Sequence, residues 1–95
     1  MNRTIALVAH DNRKKDLIEW VEFNKGTLLR HKLICTGTTG RMVEAALMQN
    51  RAKNEPLPEI TLLKSGPLGG DQQLGALICE GKVDMLFFLW DPMQP

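Results

Sequence analysis

An excess of either charge is missing from this sequence. Twelve lysines and arginines stand against eleven aspartates and glutamates, for a formal net charge of +1, so nothing argues for a nucleic-acid or anionic-membrane partner. No apolar run approaches the roughly 20 residues that cross a bilayer. A strand-like run opens at Thr4, too close to Met1 for a signal peptide with its own cleavage site. Cysteine is scarce as well. Cys35 and Cys79 stand far apart in apolar contexts without the spacing of a metal site, and both are expected to be buried free thiols in a reducing, cytoplasmic setting. There is no internal repeat and no low-complexity tract. With 95 residues and 43% hydrophobic content, residues 1–95 make one domain with a feasible but thin core.

What is present is an alternation. Thr4 to Ala9 is a short apolar run of the kind that forms a strand buried on both faces. Leu17, Ile18, Trp20 and Val21 fall on a helical stripe, for which Gly26 offers a stop, with room for a further turn over 27–30. A second strand over Lys32 to Cys35 leads to a helix carrying Met42, Val43, Ala46 and Leu47. Residues 50–59, charged and containing Pro56 and Pro58, read as a surface loop. Ile60 to Leu63 makes a third strand, Leu74, Leu77 and Ile78 a third helix closed by Gly81, and Val83 to Leu89 a fourth strand. Trp20, Phe23, Phe87, Phe88 and Trp90 are expected in the core. Strands alternating with helices predict a three-layer α/β/α, Rossmann-like parallel sheet.

In such sheets ligands bind beyond the carboxyl ends of the strands. All four expected strands end there in polar or glycine-rich groups: His10-Asp11, Thr36 to Gly40, Ser65 to Asp71, and Asp91. His10 either donates to a ligand oxygen or is a satisfied core histidine. Asp11 or Asn12 can cap the helix that follows. Arg13, Lys14 and Lys15 oppose the field of that helix's first turn, which makes sense if at least one, Lys14, serves a bound anion. Thr36-Gly37-Thr38-Thr39-Gly40 offers hydroxyls and free helix N–H groups suited to a phosphate. It is neither a Walker loop nor a dinucleotide fingerprint. Ser65-Gly66 looks like the other half of an anion site. Asp71, a cap by default, stands beside it as a candidate carboxylate base. Asp91 is either a turn residue or the orienter of another group.

These segments carry a resemblance. Ile5 to Asp11, Thr36 to Gly40, Ser65 to Gln73 and Phe88 to Pro92 resemble, in order, the methylglyoxal synthase family, and cover the N-terminal two thirds of its domain. The resemblance implies conversion of dihydroxyacetone phosphate to methylglyoxal and inorganic phosphate, with no cofactor and no metal, in a cytoplasmic homohexamer. It implies Asp71 as the base that takes a proton from the hydroxymethyl carbon, with Asp11 and Asp91 as further acidic candidates. His10, Lys14, Thr36, Gly37, Thr38, Thr39, Ser65 and Gly66 fall on positions for substrate and phosphate.

The family's domain continues past the point matching Pro95, with a histidine soon after the Trp-Asp-Pro segment that polarises the substrate carbonyl. The expectation is therefore a chain truncated at its C-terminus, with little synthase activity alone and a less protected fourth strand; one such donor is worth roughly 3–4 kcal/mol. A module that binds phosphate without catalysis is the alternative, since the fold also resembles the regulatory domain of the large subunit of carbamoyl phosphate synthetase.

Overall fold

A computed structural model describes residues 2–49, 51–65 and 68–93. Strands β1 (Thr4–Ala9), β2 (Lys32–Thr36), β3 (Glu59–Leu63) and β4 (Met85–Leu89) form one sheet in the order β3-β2-β1-β4. Each pairing is parallel: Ile5 sits between Leu33 and Met85, and Cys35 lies opposite Leu62. Helices α1 (Lys14–Phe23), α2 (Lys25–Leu28), α3 (Gly37–Met48) and α4 (Gly70–Cys79) join them, with a short 3-10 turn at Asp11–Arg13 ahead of α1.

The pleat sorts the side chains into two cores. Ile5, Leu7, Leu33 and Cys35 point to one face, where Leu17 and Val21 of α1, Leu28 of α2, and Val43, Ala46 and Leu47 of α3 cover them. Ala6, Val8 and Ile34 point to the other face, against Leu74 of α4. This division follows from handedness. The chain steps from β1 to β2 to β3 in one direction and then returns to place β4 on the far side of β1. Crossovers of constant hand must then change face. The expected α/β/α parallel sheet is what forms, with α1 and α3 in one outer layer and α4 in the other.

Helix ends are set locally. Asn24 closes α1, its side-chain amide donating to the Trp20 carbonyl at 2.9 Å, so Gly26 falls inside the short α2 instead of ending the first helix. The Gly81 stop forms as expected: Gly81 N–H donates to the Ile78 carbonyl and Lys82 N–H to the Leu77 carbonyl, the two bonds of a Schellman ending. Residues 51–58 carry no helix or strand and are tied back to the body. Lys25 Nζ pairs with Glu55 at 2.9 Å and donates to the Gln49 carbonyl at 2.7 Å.

Three of the five aromatics expected in the core are outside it. Trp20 and Phe87 are half-buried and pack together, ring centroids 4.5 Å apart. Phe23 is 90% exposed; two residues past buried Val21, it lies about 200° round the helix from the packed stripe. Phe88 points to the face that α4 covers only in part, and Trp90 lies beyond the end of β4. Cys79 is a further correction. It is exposed, five residues past Leu74 and so about 140° off the packed stripe of α4.

Cys35 is fully buried, and burial pushes its thiol up to about 12, against a smaller lowering by the Leu7 backbone. A thiol held in its protonated form is a poor nucleophile. The native chain at pH 8 should therefore react with a thiol reagent such as Ellman's at Cys79 alone, and at both cysteines in denaturant. Fast labelling of two thiols in the native chain would contradict the packing described here.

Candidate functional site

One rim of the sheet gathers the carboxyl ends of the strands and the amino ends of α3 and α4. A cavity of about 510 Å³ opens there, within the usual range for small-molecule sites. Val8, Ala9 and His10 line it from the end of β1, Thr36 from β2, Ser65 from beyond β3 and Phe88 from β4. Asp11 and Lys14 line it from the segment after β1, Gly37, Thr38 and Thr39 from the first turn of α3, and Asp71 from the first turn of α4. The site lies beside β1, the strand at which the sheet order reverses, where doubly wound sheets hold their ligands.

Local sequence explains how these groups meet. No loop separates β2 from α3: Thr36 is both the last strand residue and the N-cap position, and its side chain makes no capping bond. Gly37 follows with φ +49°, and a Cβ there would lie 2.8 Å from Ser65 Cα. This glycine is what lets the start of α3 touch the end of β3 and brings Ser65 alongside the threonines. Gly70 has a similar duty at α4, since a Cβ there would run into the Lys64 carbonyl. Leu68 and Gly70 N–H groups both donate to the Ser65 carbonyl, at 3.0 and 2.8 Å. Lys64 N–H donates to Gln73 Oε1 at 2.8 Å, which ties the first turns of α4 to the strand end.

The charges are arranged unevenly. Lys14 Nζ donates to Thr38 Oγ1 at 2.8 Å and pairs with Asp11 Oδ1 at 2.9 Å. The lysine thus spans the mouth of the cavity from β1's side to α3's. The first-turn N–H groups of α3 have no intrahelical partner and, with Lys14 and the hydroxyls of Thr38, Thr39 and Ser65, make surroundings that favour an anion. Asp71 does not cap α4: Gly69 holds the N-cap position, with φ +105° and no side-chain capping bond. Asp71 sits one position inside the helix, exposed and lining the cavity.

Of the sequence-derived candidates, His10, Asp11, Lys14, Thr36, Gly37, Thr38, Thr39, Ser65 and Asp71 come together around this one cavity. Asp91 does not line it. It is buried one layer behind, where its carboxylate accepts from the Asn12 side-chain amide at 2.8 Å and the Met93 backbone N–H at 2.9 Å. Its own N–H donates to His10 Nδ1 at 3.0 Å. Gly66 lies outside the described residues. Asn12 is the residue that sequence reading missed. Weighed only as a helix cap, it makes no capping bond and reaches across to Asp91; its partner is set by the pairing of β1 with β4, which no local signal announces. Phe88, assigned to the core, lines the cavity and packs edge-on against His10, ring centroids 5.3 Å apart. Among the described residues no group of three or more His, Cys, Asp or Glu is placed to hold a metal ion, and no helix is long and apolar enough to cross a membrane.

Comparison with known proteins bears on this rim. The MGS-like domain family matches residues 16–95. The chain is 53% identical over 97 residues to the methylglyoxal synthase of Maridesulfovibrio salexigens, covering 98% of this chain and 62% of that protein. It is 53% identical over 95 residues to the methylglyoxal synthase of Pseudoalteromonas atlantica, covering all of this chain and 64% of that one. A crystal structure of methylglyoxal synthase from Elizabethkingia anophelis NUHP1 superposes with a TM-score of 0.83 at 47% identity, over 98% of this chain and 55% of that one. The chain thus spans a little over half to just under two thirds of the length of these relatives.

Two consequences are measurable. The Met93 N–H first, and then the Asn12 amide, hold the Asp91 carboxyl below its ordinary value of 3.8, against burial working the other way. A depressed carboxyl stabilises the fold in full above that ordinary value and loses the contribution as pH falls through the folded one. In urea unfolding, Asp91→Ala should therefore cost stability at neutral pH, with the gap to the native chain narrowing as pH drops below about 3.8. A gap independent of pH would contradict the charged, doubly bonded carboxylate. Gly37→Ala should lose about 1–3 kcal/mol through its left-handed backbone and its contact with Ser65. Gly26→Ala, with nothing within 4 Å, should be neutral or stabilising.

Proposed function

The chain belongs to the MGS-like domain family, and on that footing we propose that it carries the substrate site of a methylglyoxal synthase, a lyase that converts dihydroxyacetone phosphate to methylglyoxal and inorganic phosphate. The observation that carries this reading is that Asp71 shares one cavity with Lys14, Thr38, Thr39 and Ser65. A binder of phosphate alone has no use for a carboxylate facing the anion. An enzyme that must remove a proton from carbon next to a bound phosphate ester needs that pairing.

The chemistry divides between the two sides of the cavity. The phosphate of the substrate rests against the first turn of α3, with Lys14 and the hydroxyls of Thr38, Thr39 and Ser65 as donors. Binding the dianion frees Lys14 from its tie to Asp11, so Asp11 serves to hold the lysine in place before substrate arrives. Asp71, from the first turn of α4, takes a proton from the hydroxymethyl carbon. The electron pair left behind moves toward the carbonyl oxygen and forms an enediolate; His10, at the end of β1, offers that oxygen one ring N–H, and the second donor is the histidine that the family carries past the point matching Pro95, without which the step is slow. The enediolate then expels phosphate by breaking the carbon–oxygen bond, and the remaining three-carbon enol rearranges to methylglyoxal. Lys14 and the helix N–H groups stabilise the departing phosphate, where fixed donors in a partly enclosed site act more strongly than in water. Holding the carbon against one carboxylate supplies proximity.

Phosphate binding, a cytoplasmic setting and homohexameric assembly belong to the same reading. Nothing in it calls for nucleic acid, a membrane or a cofactor.

The test uses the 95-residue chain. Inorganic phosphate should shift amide resonances of Thr38, Thr39 and Ser65, and Lys14→Met should weaken its affinity by about tenfold or more, as expected for a lost charge-assisted bond. Turnover of dihydroxyacetone phosphate should be slow, and Asp71→Asn should remove it while leaving phosphate affinity equal or improved. Collapse of affinity with turnover intact would refute the assignment of Asp71. Tight phosphate binding without any release of methylglyoxal by a chain extended to the length of its relatives would favour the non-catalytic module.

A further inference from the structure

The last turn of β1 and the chain beyond β4 are tied together at one corner, and the ties converge on the His10 ring. The His10 backbone N–H donates to the Leu89 carbonyl at 3.1 Å. The Asp91 backbone N–H donates to His10 Nδ1 at 3.0 Å. Asp91 in turn is pinned through both carboxylate oxygens, Oδ2 by the Asn12 amide at 2.8 Å and Oδ1 by the Met93 N–H at 2.9 Å. Phe88 and the imidazole form a T-shaped pair with an interplanar angle of 84°. Two restraints of different kinds therefore fix this ring, a hydrogen bond at one nitrogen and a T-shaped aromatic contact with Phe88.

A ring nitrogen that accepts a backbone N–H has its lone pair in use. In the neutral ring the proton must then sit on the other nitrogen. A proton on Nδ1 would set two donors head to head. We propose that Asn12 is a positioning residue: through Asp91 it holds His10 in the Nε2–H tautomer, so that the ring presents a donor to the cavity. Asn12 does not line the cavity. Its role depends on the corner geometry, and the substrate that the donor meets rests on the reading of the site given above.

Ring-nitrogen NMR of the uniformly nitrogen-15-labelled chain tests the tautomer without reference to any substrate. Protonated and bare imidazole nitrogens give well-separated signals, and His31 provides an internal comparator. It too accepts at Nδ1, from the Arg3 N–H at 3.1 Å, but at the opposite end of the sheet. In the native chain His10 should show the Nε2–H pattern. In Asn12→Ala its two ring signals should move toward a mixture while those of His31 stay in place, and Asn12→Ser should give a smaller movement. A native His10 protonated at Nδ1, or an Asn12→Ala spectrum with His10 unmoved, overturns the inference.

Binding supplies the second readout. Asn12→Ala should weaken dihydroxyacetone phosphate by a few-fold to about tenfold, the value of one hydrogen bond to a substrate oxygen, and leave inorganic phosphate unaffected. A general loosening of the fold would weaken both ligands together. If the tautomer shifts as described but the two affinities fall together or not at all, the positioning role is overturned through the substrate reading and not through the corner geometry. If neither variant folds, the native spectrum still decides the tautomer.

Discussion

Parallel pairing is the constraint from which the site follows. In a sheet whose strands all run one way, each strand's carboxyl end lies at the same rim, and each helix that follows begins there. The amino ends of α3 and α4 are thereby aimed across one cavity, with N–H groups that have no intrahelical partner and a field that favours negative charge. No single side chain creates this preference for an anion. It is built into the direction of the backbone, and the side chains refine it.

The refinement is a matter of short distances held open by small residues. Gly37 allows α3 to begin without a loop and to lie against Ser65, and Gly70 allows α4 to begin against the Lys64 carbonyl. Side chains at these two positions would push apart the two sides of the cavity. Lys14, tied to both Asp11 and Thr38, keeps a positive charge at the mouth of the cavity before any ligand is present. Pre-organisation of this kind lowers the cost of binding, because fewer groups have to be ordered when the ligand arrives.

The sheet, its direction and the rim were legible in the sequence, because buried parallel strands are continuous apolar runs and their polar endings stand out against them. The two segments that bring Thr38, Thr39 and Ser65 to the cavity were legible for the same reason. What escaped was side-chain detail that depends on partners distant in sequence. Asn12 and Asp91 meet because β1 pairs with β4, and nothing near either residue encodes that. Phe23, Phe88 and Trp90 were assigned to the core by hydrophobicity alone, yet each lies off the packed stripe, on a partly covered face or past a strand end. Cys79 escaped for a similar reason, since an apolar neighbourhood in sequence says little about which side of a helix is packed. Hydrophobic type reports what can be buried, and the angle round a helix or the covering of a sheet face decides what is.

A carboxylate set beside a phosphate cradle is the arrangement on which the functional reading depends. Its most direct test is a crystal structure of the chain with phosphoglycolate, a phosphorylated analogue that cannot eliminate. The account predicts the phosphate against the first turn of α3, within hydrogen-bond reach of Lys14, Thr38, Thr39 and Ser65, and the carboxylate oxygen that takes the place of the hydroxymethyl carbon within about 3.5 Å of an Asp71 oxygen, the distance of a reacting pair. A phosphate bound elsewhere, or bound there with the Asp71 carboxylate turned out to solvent, would contradict it.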